Sequence, residues 1–126
     1  MQLETDFKTR LRTFLIAHGI SIIEREDWRQ EGRDLADTLK GESWQEVVTD
    51  FAGMVAGFVA GFKEMQPAVL PIYKDLGNFM MDHEQSIHDF ALQEVAGNAE
   101  TSIDGVINML VNPLSRLSPA LSAKTG

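Results

Sequence analysis

Asp82-His83-Glu84 followed by His88 is the densest grouping of proton-handling and metal-ligating side chains in this sequence. Carboxylate and imidazole together suit several divalent metals. Glu84 and His88 stand four residues apart, so on a helix they are surface neighbours. His83 lies about 100° from Glu84 and about 140° from His88 around such a helix. A metal site in a helical bundle needs ligands projecting inward from several helices. The metal reading therefore assigns His83, Glu84 and His88 as ligands and requires other helices to complete the set. A second reading starts from the apolar stripe of Ile72, Leu76, Phe79, Ile87 and Phe90. His83 and Glu94 fall on the same stripe, about 16 Å apart along the axis. Two ionisable side chains on an apolar face are the strongest anomaly in the chain.

The His–Glu cluster resembles the ferritin-like di-metal proteins, whose signature is Glu-x-x-His on paired helices. Glu84-Gln-Ser-Ile-His88 is one residue longer than that signature. The third histidine, His18, supplies no second copy. The resemblance implies a helical bundle holding a metal through the cluster. No other cofactor is expected, because there is no glycine-rich phosphate loop. Gly-x-Ser-x-Gly and His-Glu-x-x-His are also missing, and there is no cysteine to act as nucleophile or thiolate ligand. No catalytic residues are assigned. His18, in the last turn of the first helix, reads as a helix-end residue beside Gly19 rather than as a base.

Whatever the cluster does, a run of small and apolar residues must position it. The stretch from Ala52 to Phe62 contains Gly53, Gly57 and Gly61, which fall within about 40° of one helical line, opposite Phe51, Val55, Phe58, Val59 and Phe62. Such a helix is apolar on every side and must either span a membrane or be covered by other elements. Only residues 51–62 are free of charge, well short of the roughly 20 apolar residues a span needs. Ser43-Trp-Gln-Glu46 forms a capping box at one end and Pro67 stops the helix at the other. The predicted central helix is 43–65. Three interior glycines cost about 1 kcal/mol each against alanine, so close approach of a neighbouring helix is expected to offset them.

The remaining elements follow from periodicity and punctuation. Leu3, Phe7, Leu11, Phe14 and Leu15 make a first amphipathic helix over 3–18, and residues 24–40 make a highly charged one with Trp28, Leu35, Ala36 and Leu39 as its thin apolar face. Pro71 begins a long helix, 71–96, closed by Gly97, and Ile103, Val106, Ile107 and Leu110 mark a last helix over 99–111. The fold class is all-α, a single-domain bundle of about five helices, mostly antiparallel, built around 43–65 and 71–96. Residues 1–113 form the domain and 114–126 a partly disordered tail.

The chain has 126 residues and a formal net charge of −8. Between residues 72 and 104 there are seven acids and one base. That balance disfavours nucleic acid and anionic membrane surfaces, both of which need clustered Lys and Arg. Acids stand near the N-terminus where a secretory leader needs basic and then apolar residues, so cytoplasmic residence is expected. Three functions fit. The leading one is a non-catalytic interaction or assembly module, paired as a homodimer. The second is the metal-binding bundle. The third is a small-molecule module with an apolar cavity between Gly53, Gly57 and Gly61 on one side and His83 and Glu94 on the other.

Overall fold

The computed structural model describes residues 2–110, which form five α-helices with no strand among them. The sequence expectation of an all-α bundle is met. The helices are α1 (Gln2–Ala17), α2 (Glu26–Thr38), α3 (Trp44–Met65), α4 (Lys74–Val95) and α5 (Asp104–Asn108). The tail expected from residue 114 onward lies outside the described residues.

The frame is an antiparallel hairpin of α3 and α4. At its open end Trp44 and Gln45 meet Glu94 and Val95, and at its closed end Gln66 reaches Asn78. Its start is set by the capping box: the Ser43 hydroxyl accepts from the Glu46 amide while the Glu46 carboxylate accepts from the Ser43 amide. Its turn is two short 3-10 segments, each with a proline in its first turn. Proline ends one helix and fixes the dihedral angle that starts the next. Gly77 lies where this turn folds back: a Cβ there would stand 3.6 Å from a Val69 methyl, an ordinary contact. Gly97 closes α4 with φ of +80°. The Asn98 and Gly97 amides then donate to the Gln93 and Glu94 carbonyls, the paired bonds that a left-handed glycine makes possible.

The core is one seam. Val48, Ala52, Val55 and Val59 repeat every three or four residues along α3 and are buried, as is Ala91 on α4. α1 crosses this seam antiparallel to α4, with Glu4 at His83, Phe7 at Phe79 and Phe14 at Tyr73. α2 is attached differently, since every one of its residues is exposed, including Trp28 and Leu35. Glu24, just before it, pairs with Arg12 of α1 and Arg29 of α2, Arg33 pairs with Glu26 within the helix, and Leu35 and Leu39 share an apolar hollow with Val47, Phe51 and Met54 of α3.

The last helix is much shorter than the 99–111 read from the pattern. Residues 98–103 coil into successive turns in which the Asn98 carbonyl accepts from the Thr101 and Ser102 amides. Without a side-chain cap and with Gly105, Val106 and Ile107 in sequence, only five residues hold helical geometry.

Candidate functional site

His83 is 2% exposed and occupies the inner face of α4, as its position on the apolar stripe requires. Its imidazole stacks on the Phe7 ring of α1, with centroids 4.4 Å apart. Two carboxylates converge on it from different helices. Glu4 Oε1 lies 3.1 Å from Nε2 and Glu84 Oε1 lies 3.3 Å from Nδ1. Both acids approach the ring away from its N–H directions, and neither buried nitrogen has a hydrogen bond of good geometry. A buried polar atom left in this state costs roughly 1–3 kcal/mol, which the fold bears at this one histidine.

Beside the imidazole is a cavity of about 330 Å³ between α1, α3 and α4. Its walls are apolar: Phe7 from α1, Phe51, Val55, Phe58 and Phe62 from α3, and Met80 and Ile87 from α4. The polar end is formed by Glu4, His83 and Glu84, and no Lys or Arg among the described residues lines the space. The arrangement can desolvate an apolar body and offer acceptors to a donor at one end.

Glu94, the other ionisable residue on the stripe, is not part of this cavity. The Ser102 hydroxyl donates to one of its oxygens and the Trp44 indole N–H, at 2.8 Å, to the other. These bonds, Ser102 first, hold its carboxyl below the ordinary glutamate value of 4.5. Glu94 is therefore a clasp joining the start of α3, the end of α4 and the turns before α5. Nothing in the sequence marks Trp44 or Ser102 as its partners, because one is fifty residues away and the other lies past a chain reversal.

The metal assignment finds no support in the geometry. Among the described residues no three His, Asp or Glu side chains are grouped to hold an ion. His83 and Glu84 lie together, but His88 is displaced by about 140° around α4. His18 ends α1 as expected: its Nδ1 stands 2.8 Å from the Phe14 carbonyl, and its ring packs on Phe14 and Tyr73.

The glycine line requires a correction. The sequence reading puts Gly53, Gly57 and Gly61 in tight contact with another helix, and alternatively across a cavity from His83 and Glu94. In the structure a Cβ added at any of the three would meet nothing within 4 Å outside its own helix. The physical reason is angular. The valine seam that packs on α4 is centred about 180° from the glycines, so the small residues face away from the chain's own core.

Compared with known proteins, the chain matches no family profile, no curated sequence and no solved structure. Its function is therefore argued from these sites alone.

Proposed function

We propose that this protein is a non-catalytic assembly module that pairs with a second copy of itself through the outward face of α3. The observation that carries this reading is the open glycine line. Three helical glycines lose about 3 kcal/mol against alanine, and among the described residues nothing outside the helix lies within 4 Å of where their Cβ atoms would be. The line is flanked by Met54 at 44% and Phe58 at 53% exposure, large apolar side chains that a partner would cover. A two-fold axis at Gly57 would set Gly53 of each copy against Gly61 of the other. The backbones could then approach closely, with the helix dipoles opposed. No helix among the described residues is long and apolar enough to cross a membrane, so the small-residue line has no lipid role to explain it.

Sedimentation equilibrium at micromolar concentration tests the proposal. The expected mass is twice the 14.0 kDa of one chain. Gly57→Glu, which adds a charge at the proposed axis without touching the valine seam, should return the single-chain mass. A wild-type protein that stays at one chain across that range would overturn the pairing.

A further inference from the structure

We infer that the cavity between α1, α3 and α4 is a binding site for a small primary amine carrying an aromatic or branched apolar body. The inference rests on the His83 end of the molecule and not on the pairing of α3, although Met54 and Phe58 border both the cavity and the proposed pairing face. Three observations converge. The cavity of about 330 Å³ is within the range of small-ligand sites and is walled by Phe7, Phe51, Phe58 and Met80. Its polar end holds a 2% exposed imidazole whose two nitrogens both lack a hydrogen bond. The two formal charges closest to that imidazole are the carboxylates of Glu4 and Glu84, with no lysine or arginine among the lining residues.

Those facts select the ligand's head. A carboxylate or phosphate would meet two like charges and find no cation, whereas an ammonium is attracted by both acids. A primary ammonium carries three N–H donors and no acceptor. The imidazole nitrogens are buried without a hydrogen bond, and the Glu4 and Glu84 carboxylates beside them are acceptors for such donors. The apolar walls then select the body, and an unsubstituted ammonium ion would leave them unfilled.

The test uses the whole chain and three probes of one shape: 2-phenylethylamine, 2-phenylethanol and phenylacetate. Titration followed by calorimetry and by NMR should show the amine binding once per chain, with the His83 and Phe7 ring signals moving. It should bind at least about tenfold more tightly than the alcohol, and phenylacetate more weakly still. Glu84→Gln should weaken the amine about tenfold or more while leaving the alcohol unchanged. Glu4→Gln, at a half-exposed side chain, should act in the same direction, with circular dichroism checking that the helices are retained. Equal affinity for the three probes would overturn the inference. So would no saturable response to the amine up to about 10 mM, or amine binding unchanged in both variants. Because the Glu4 and Glu84 variants leave Gly57 intact, loss of amine binding with an unchanged assembly mass separates this site from the pairing face.

Discussion

The two sides of α3 have opposite fates. On one, Val48, Ala52, Val55 and Val59 are buried against α4. On the other, Gly53 and Gly57 face outward, and a Cβ at either would meet no other helix among the described residues. Side-chain volume separates them. β-Branched valines at three- and four-residue spacing offer a continuous ridge that fills the groove of a neighbouring helix. Glycines offer no ridge, and gain only if another backbone can come closer than a side chain allows. Among the described residues none does. α4 is taken by the valine side, α1 lies across α4, and Leu35 of α2 and Leu39 just after it share a hollow with Val47, Phe51 and Met54 and not with the glycines. An all-round apolar helix thus divides into a face that folds the monomer and a face available for something else.

The comparison predicts unequal responses to mutation. The largest is expected on the inner face, where Val48→Asp places a carboxylate at a 1% exposed position and should destabilise by about 4 kcal/mol or unfold the chain. Urea denaturation measures it, and a loss under about 1 kcal/mol would mean that the seam is not the core. On the outer face Gly57→Ala should act in the opposite direction. In the single chain it should stabilise by about 1 kcal/mol, because the new Cβ meets open space and the helix gains propensity. A loss of stability in dilute solution would restore the tight intrachain contact that the sequence suggests. Smaller still is Leu35→Ala on α2, which should cost about 0.5 kcal/mol or less since that side chain is already half in water.

The smallest effect sharpens the comparison at the end of the seam. Glu94 has its folded pKa lowered by Ser102 and Trp44, so the unfolded chain binds the proton more readily. Its stabilising contribution is present above the ordinary value of 4.5 and is lost as pH falls through the lowered folded value. Melting temperatures taken from pH 6 downward should therefore decline less steeply for Ser102→Ala than for the wild type, with the curves differing in slope mainly below about pH 4.5. Parallel curves would show that the Ser102 bond does not govern this titration.

Local signals were legible and distant ones were not. The Ser43–Glu46 box, the prolines after α3 and Gly97 after α4 act within a few residues of where they stand, and each helix end follows from them. Burial of His83 was readable from its phase on a helix with a clear apolar stripe. The same phase argument placed Glu94 inward but could not supply Trp44 and Ser102, since nothing in a helical period encodes contacts across a hairpin. The glycine line misled for a related reason. Three small residues in register state that a close approach is possible, not which surface makes it. Residues 99–103 misled because their apolar spacing continues where turns, and not an α-helix, organise the backbone.

The attachment of α2 through Glu24 sets how the molecule comes apart. A segment whose residues are all exposed shares little of the cooperative stability of the hairpin. It behaves as a separate unit that opens with a free energy far below that of global unfolding. Amide hydrogens of residues 26–38 would exchange through such openings while those of the valine seam wait for the whole chain to unfold. Since salt screens the pairs that Glu24 makes with Arg12 and Arg29, added electrolyte shortens the first waiting time and leaves the second nearly unaltered.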